Sequence, residues 1–192
     1  MMVGQVDDND CQLNDTWSVY FHDPADQDWS CSSYKLLCTL SRVQDYAALN
    51  AIIGPTFGHA MYFVMREHVF PCWDDPYNLQ GGCISLKIPK EHVQTFWDNL
   101  CMAMLGESIT HDPVMWDAVN GVSISPKRYF CILKIWFRTQ DIQTKDQINI
   151  DWASYGGDIL FKSNLDNIRT NNESLAKKPQ GQGTTAPAAA HD

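Results

Sequence analysis

Two tryptophans stand in polar loops, where a large apolar ring has no obvious burial partner. Trp29 follows an acidic stretch that contains a proline, and Trp73 is followed at once by Asp74 and Asp75. Two such rings are suited to stack on the two faces of a flat, cationic ligand. A neighbouring carboxylate can accept charge-assisted hydrogen bonds from the edge of that ligand. The alternative for either Trp taken alone is a loop anchor that packs onto the body of the domain.

Signatures of catalysis are missing from the sequence. None of the six histidines falls in an H-E-x-x-H or Cys–His arrangement, and there is neither a G-x-S-x-G motif nor a glycine-rich phosphate loop. Asp74 and Asp75 could form an acid–base pair, but neighbouring side chains rarely aim at one bond. The pattern favours a binding protein over an enzyme, with no cofactor and no metal site.

Composition limits the kind of ligand. The chain has 192 residues, which suits one domain, and 14 Lys+Arg against 23 Asp+Glu give it a net charge of -9. Because nucleic-acid backbones are gripped by cations, any contact with nucleic acid should be local. Seven scattered cysteines without a C-x-x-C pair predict reduced thiols and therefore a cytoplasmic setting, with the nucleus as an alternative. No secretory signal or membrane-length apolar run is present, so no membrane association is expected.

The elements that must position these residues alternate between strand-like and helix-like patterns. Alternating apolar runs predict about seven strands, at residues 16–22, 33–40, 60–66, 83–88, 119–124, 128–138 and 158–163. Helical spacing marks residues 43–53, 91–105, 112–118 and, less regularly, 146–155. Trp17 and Trp97 lie on apolar faces and are predicted core residues. The combination predicts an α+β fold with an antiparallel sheet and its helices on one side.

These features together resemble the eukaryotic translation initiation factor 4E family, which binds the mRNA 5′ cap. The shared marks are the W-x-x-Y-F of residues 17–21, Trp29, the V-x-D-Y of residues 43–46, the P-x-W-D-D of residues 71–75 followed by Gly81-Gly82, and the Phe96-Trp97 pair ahead of Gly106-Glu107-Ser108. The resemblance implies a curved antiparallel sheet of about eight strands, with three main helices on the convex face and the cap in the concave one. Composition predicts an acidic tail at residues 1–12 and a low-complexity tail, poor in apolar residues, at residues 166–192, which leaves residues 13–165 for the cap-binding domain that the resemblance implies.

For the guanine base, the resemblance implies that Trp29 and Trp73 sandwich 7-methylguanine. Asp74 would accept hydrogen bonds from the base, where the family more often has Glu. A third Trp beside the methyl group maps to Trp136 or, in a shorter hairpin register, to Ile132, and Trp136 is favoured.

For the cap phosphates, the resemblance implies the basic residues Lys127, Arg128 and Lys134, which lie in or after one hairpin. Ser123 stands where the family has Arg, so this position lacks the guanidinium of the family's phosphate contact. The alternative for Lys127 and Arg128 is an ordinary exposed turn.

The partner-binding face departs further from the family. The resemblance assigns that face to residues of two helices, which here are Val43, Tyr46, Ala47, Asp98, Asn99 and Met102. Ala47 replaces a Trp that would anchor the partner, and a lost central anchor removes a binding hot spot. We therefore expect a scaffold of the 4G type, or a regulatory binding protein, to dock through an altered interface, with the chain a monomer or part of a heterodimer.

The resulting expectation is a non-enzymatic, divergent cap-binding protein that acts in translation initiation or its regulation. One alternative is a repressor that sequesters the cap and recruits no scaffold. Another is a protein-interaction module that has lost cap binding. A cap-processing hydrolase is disfavoured, because no R-E-x-x-E-E-like carboxylate cluster is present.

Overall fold

Seven antiparallel strands form one sheet in the computed structural model, which describes residues 10–150 and 159–176. The strands are β1 (Gln12–His22), β2 (Lys35–Arg42), β3 (Met61–Arg66), β4 (Gly82–Pro89), β5 (Val119–Pro126), β6 (Phe130–Phe137) and β7 (Ile159–Ser163), in the order β2-β1-β3-β5-β6-β4-β7. The α-helices are α1 (Val43–Ile53), α2 (Val93–Leu105) and α3 (Asn164–Ala176). The α+β fold with a curved antiparallel sheet is confirmed, and each predicted strand corresponds to an observed one.

The period of two along each strand divides the sheet into two chemically different faces. Trp17 and Val19 of β1 point to the side that α1 and α2 cover, and both are buried there with Trp97 and Phe96 of α2. Both predicted core tryptophans are therefore confirmed. Neighbouring β1 residues such as Tyr20 lie on the opposite face. Because the strands pair in register, each face stays continuous across the sheet.

Residues at the predicted N-terminal tail contact the start of α1. The carbonyl oxygen of Cys11 accepts a hydrogen bond from the Val43 amide at 2.9 Å, and Asp10 forms an ion pair with Arg42 at 3.1 Å. The prediction of a tail over residues 1–12 is thus wrong for residues 10–12. These contacts could not be predicted from local patterns, because they depend on the pairing of β1 with β2.

The predicted C-terminal tail is wrong in its first part, because residues 166–176 belong to α3. Ser163 and Asp166 begin this helix as a reciprocal cap: the Ser163 hydroxyl donates to the Asp166 carboxylate at 2.8 Å and accepts from the Asp166 amide at 3.1 Å. Asn164 then anchors the helix by donating from its side chain to the carbonyl oxygen of Asn78 at 2.7 Å. The low apolar content that suggested a tail is offset by these polar anchors.

The remaining helical predictions have mixed outcomes. Residues 113–118 form a 3₁₀ helix that begins when the Asp112 carboxylate accepts the Val114 amide at 2.9 Å. Of the predicted helix at 146–155, residues 145–147 form one 3₁₀ turn, and residues 151–158 lie outside the described residues. All seven cysteines fall in the described residues and are free thiols. Among the helices of residues 10–150 and 159–176, none is long and apolar enough to cross a membrane.

Candidate functional site

A cavity of about 330 Å³ opens on the sheet face opposite α1 and α2. One cross-strand row supplies its floor: Phe63 of β3 pairs with Ser123 of β5, which pairs with Lys134 of β6. Five of the residues predicted to bind a ligand line this cavity, namely Trp29, Trp73, Asp74, Lys134 and Trp136. The fold therefore brings together loop and strand residues that are more than one hundred positions apart in the chain.

Trp136 forms part of the cavity wall and is almost fully buried. Its indole Nε1–H donates to the Ser123 hydroxyl at 2.9 Å, and Phe63 packs against its ring in an edge-on arrangement at 6.4 Å. Ser123, which replaces an expected Arg, thus orients a Trp instead of offering a charge. Ile132, the alternative to Trp136, pairs with Ser125 farther along the hairpin and does not line the cavity.

Trp29 is 54% exposed and is held by a residue that sequence reasoning did not select. The ring of His22 stacks on it at 4.2 Å with an interplanar angle of 7°. His22 is fully buried, and its Nε2 donates to the carbonyl oxygen of Asp28 at 2.8 Å, next to Trp29 in sequence. The alternation of residues 16–22 puts His22 on the face opposite Trp17, and this is the signal in the sequence that indicates its position.

His22 also carries an unusual polar atom. Its Nδ1 is buried and has no hydrogen-bond partner within the described residues. An unpaired buried acceptor has a free-energy cost, which the hydrogen bond to Asp28 and the stack on Trp29 must offset. We infer that His22 fixes both the loop and the ring orientation of Trp29.

The two adjacent carboxylates of the Trp73 loop have different environments. Asp75 accepts hydrogen bonds from the backbone amides of Phe70 at 3.1 Å and Tyr77 at 2.9 Å, so its carboxylate closes the loop. Asp74 is exposed and lines the cavity. Burial raises the pKa of the neighbouring Cys72 thiol to about 12, and the Asp74 carboxylate contributes to the rise. Asp75 is therefore structural, and Asp74 is the carboxylate available to a ligand.

A buried amide supports the same loop from below. Asn78 is fully buried and donates from its side chain to the carbonyl oxygens of Phe70 and Cys72, both at 2.9 Å. Asn120 at the start of β5 in turn donates to the Asn78 side chain at 2.8 Å. This network ties the Trp73 loop to the sheet. Sequence reasoning missed it because single asparagines in loops carry no distinctive pattern.

The predicted phosphate-binding cations separate into two groups. Lys134 lines the cavity, with its ammonium 5.6 Å from the centre of the Trp73 ring and 5.9 Å from that of Trp136. Lys127 and Arg128 lie in the exposed turn between β5 and β6 and do not line the cavity. Arg128 instead stacks its guanidinium over Tyr129 at 5.0 Å. Their arrangement is that of an ordinary exposed turn.

Helix α3 completes the cavity with Ile168, Asn171 and Asn172. These residues lie outside the predicted site, because the predicted C-terminal tail covers their segment. The capping pattern S-x-x-D at residues 163–166 was the signal that could have predicted the helix.

On the opposite side of the sheet, the predicted partner-binding residues differ in exposure. Val43 and Met102 are 51% and 55% exposed, and Ala47 and Asn99 are exposed as well. Tyr46 is buried, and its hydroxyl donates to the Asp98 carboxylate at 3.0 Å. The Tyr46 ring therefore belongs to the core and Asp98 satisfies its hydroxyl, while its contact with a partner stays a prediction. Burial raises the pKa of that hydroxyl.

The described residues contain no cluster of three or more His, Cys, Asp or Glu side chains that could hold a metal ion. Among the described residues that line the cavity, Asp74 and Lys134 are the charged ones. The site thus combines aromatic rings, one carboxylate and one ammonium, a set suited to a flat ligand that carries both positive and negative charge.

Comparison with known proteins points to one family. The family model described as eukaryotic initiation factor 4E matches residues 12–179. The chain is 28% identical over 131 residues to eukaryotic translation initiation factor 4E-1 of Arabidopsis thaliana, covering 65% of this chain and 54% of that protein. It is 32% identical over 145 residues to eukaryotic translation initiation factor 4E-1 of Caenorhabditis elegans, covering 71% of this chain and 66% of that protein.

Solved structures share the fold. A Schistosome eIF4E complexed with m7GpppG and 4E-BP superposes with a TM-score of 0.62 at 19% identity, covering 69% of this chain and 75% of that chain. The chain spans about half the length of several of the curated relatives that it matches.

Proposed function

This chain belongs to the eukaryotic initiation factor 4E family, and on that premise we propose that it binds the 7-methylguanosine 5′ cap of mRNA. The observation that carries the proposal is the convergence of Trp29, Trp73 and Asp74 on one cavity. Methylation at position 7 makes guanine cationic, so stacking gains a cation–π contribution beyond the ~1–3 kcal/mol of a neutral base. We propose a binding function without catalysis.

Each lining residue has a chemical role in this proposal. Trp29 and Trp73 stack on the base, and Asp74 accepts from its ring N–H and amine. Trp136 lies beside the methyl group, and Lys134 contacts phosphate. Because α3 lines the cavity, the binding unit that we propose includes α3 as well as the sheet.

Titration of the intrinsic Trp fluorescence tests the proposal directly. We expect m7GTP to bind more tightly than GTP, because only the methylated base carries the positive charge that the rings and Asp74 favour. Trp29→Ala and Trp73→Ala should each weaken m7GTP binding by at least ~1 kcal/mol. Tyr129→Ala is the control, since Tyr129 is 71% exposed and lies outside the cavity. Equal affinity for GTP and m7GTP would refute the proposal.

We further propose that the protein acts in translation initiation or its regulation, in the cytoplasm. The related Schistosome structure holds a 4E-BP, which supports a binding-protein partner of the same kind here. A scaffold of the 4G type is the other partner that we consider. With Tyr46 buried, the surface available for either partner is centred on Val43, Ala47 and Met102.

A specific observation favours the alternative of a repressor that recruits no scaffold. The convex surface offers Ala47 in place of a large aromatic anchor, and the nearby Asp98 carboxylate is occupied by Tyr46 and by Gln94 at 3.1 Å. A pull-down on immobilised cap analogue, followed by identification of the proteins that co-elute, distinguishes the initiation role from the repressor role. An initiation scaffold among them supports the initiation role, whereas its absence supports the repressor. Ala47→Trp tests whether the missing anchor explains weak binding of a Tyr-x-x-x-x-Leu peptide.

A further inference from the structure

The aromatic cavity already contains a cation that the chain itself supplies. The Lys134 ammonium lies 5.6 Å from the centre of the Trp73 ring and 5.9 Å from that of Trp136. Both distances fall within the ~6 Å range of a cation–π contact. Lys134 is half-buried, so solvent screens this contact only in part. The ammonium therefore occupies the aromatic environment in which a cationic base would bind.

The backbone of Lys134 is held in the sheet, whereas its ammonium group can move. On the interior strand β6 it pairs with Ser123 on one side and with Ser85 on the other. The four-carbon side chain can move its charge by several ångströms without moving the strand. The ammonium can thus leave the two rings while it remains in the cavity.

The cavity offers a ligand phosphate few other basic groups to bind. Ser123 offers a hydroxyl where a guanidinium is expected, and Lys127 and Arg128 lie outside the cavity. Among the described residues that line the cavity, Lys134 is the single basic one. A phosphate group of the ligand would have to be met by Lys134.

We infer that the Lys134 ammonium competes with a cationic ring for Trp73 and Trp136, so that the cavity disfavours a cationic ring that brings no phosphate group to receive the ammonium. The ring displaces the ammonium from Trp73 and Trp136, and the phosphate then receives it. A ligand with the ring alone loses the cation–π contact of Lys134 without compensation. This inference rests on the proposed cap-binding function, and it identifies Lys134 as the residue that couples binding of the base to binding of the phosphate.

The test compares two ligands, 7-methylguanosine and m7GTP, by fluorescence titration of the wild type and of Lys134→Met. Methionine keeps the unbranched apolar stem and removes the charge. We expect m7GTP affinity to fall at least about tenfold, because a charge-assisted contact is lost. We expect 7-methylguanosine affinity to rise by about two- to fivefold, because the competing cation–π contact is gone. The two ligands should therefore respond in opposite directions.

Lys87→Met is the matched control. Lys87 lies on the same face of the sheet and also places its ammonium over an aromatic ring, that of Phe130 at 5.5 Å, but it does not line the cavity. Both affinities should stay within about twofold of the wild type in this variant. Lys134→Arg should keep the wild-type preference for the phosphorylated ligand, and Lys134→Gln should reproduce the reversal as a second neutral variant.

The outcomes distinguish the inference from the proposed function. If wild-type protein fails to bind m7GTP, the proposed function is wrong, and this inference fails with it. If the wild type binds m7GTP but both ligands weaken together in Lys134→Met and Lys134→Gln, Lys134 supports the cavity without competing for it. An unchanged affinity for 7-methylguanosine in both variants also overturns the inference.

Discussion

Adjacent Asp74 and Asp75 provide a matched pair of substitutions with opposite expected effects. Asp75 accepts two backbone amides, from Phe70 at 3.1 Å and from Tyr77 at 2.9 Å, whereas Asp74 is exposed in the cavity. In Asp75→Asn one side-chain oxygen remains, and the new amide group faces a backbone N–H that it cannot satisfy. Leaving that donor unpaired should lower the free energy of unfolding by about 1–3 kcal/mol. Asp74→Asn should leave the free energy of unfolding within about 0.5 kcal/mol of the wild type.

Binding of m7GTP should show the reverse order. Asp74→Asn loses the charge of an acceptor and directs a donor at the donors of the base. Because hydrogen bonds to a charged group contribute about 1.5–3 kcal/mol each, we expect a loss of at least ~2 kcal/mol, which is about thirtyfold in Kd. Asp74→Glu keeps the charge and adds the methylene that the family more often has, so binding should be retained or improved.

The assay combines urea unfolding with fluorescence titration at a temperature where all variants are folded. Asp74→Asn and Asp75→Asn each replace one carboxylate oxygen by an amide nitrogen, so the two adjacent sites control for one another. If Asp75→Asn weakens m7GTP binding more than Asp74→Asn while its stability is unchanged, our assignment of the two carboxylates is wrong.

His22→Phe should keep the stack on Trp29 but lose the hydrogen bond to Asp28, so m7GTP binding should decrease in the order wild type, His22→Phe, His22→Ala. In a Trp29→Ala background the effect of His22→Ala should vanish, and full additivity in this double-mutant cycle would contradict the positioning role. Arg66 is buried, donates to the Val119 carbonyl oxygen at 2.7 Å and forms an ion pair with Asp15. Arg66→Met should therefore lower the free energy of unfolding, measured by urea unfolding, by about 3 kcal/mol. The m7GTP affinity of the folded variant should not change. The side-chain hydrogen bond from Arg42 lowers the pKa of Asp45 from 3.8 to about 2. The ionised Asp45 carboxylate therefore stabilises the fold above pH ~4, and this contribution is lost as the pH falls towards 2. When the thermal unfolding midpoint is plotted against pH, its decrease between pH ~4 and ~2 should be shallower in Asp45→Asn than in the wild type, and an identical decrease would contradict this assignment.

The strand pattern and the apolar faces could be predicted from the sequence because they depend on local periodicity. Residues 16–22 alternate between Trp17, which is buried under α2, and His22, which lies on the cavity face, as a period of two requires. Trp29 and Trp73 were recognisable as candidate ligand contacts because large rings in polar loops lack an obvious burial partner. The local chemistry of these segments was sufficient to predict the strands and their buried faces and to select the two rings as candidates.

The roles of individual side chains depended on contacts between distant segments. Only the tertiary structure could show that Asp75 binds two loop amides and that Asp74 does not, since the two residues are chemically identical. In the same way, Tyr46 resembled an exposed contact on a helix until Asp98, fifty-two positions away, proved to bind its hydroxyl.

The cavity itself was decided by strand pairing. Lys127, Arg128 and Lys134 are equivalent as cations in one hairpin, but the register that pairs Lys134 with Ser123 directs one of them towards Trp73 and leaves the others in the turn. Helix α3 adds a wall because Asn164 is anchored to the carbonyl oxygen of Asn78, which belongs to the Trp73 loop. A linear sequence specifies which residues have the chemistry to bind a ligand, whereas the register and these long-range hydrogen bonds determine which of them face the same space.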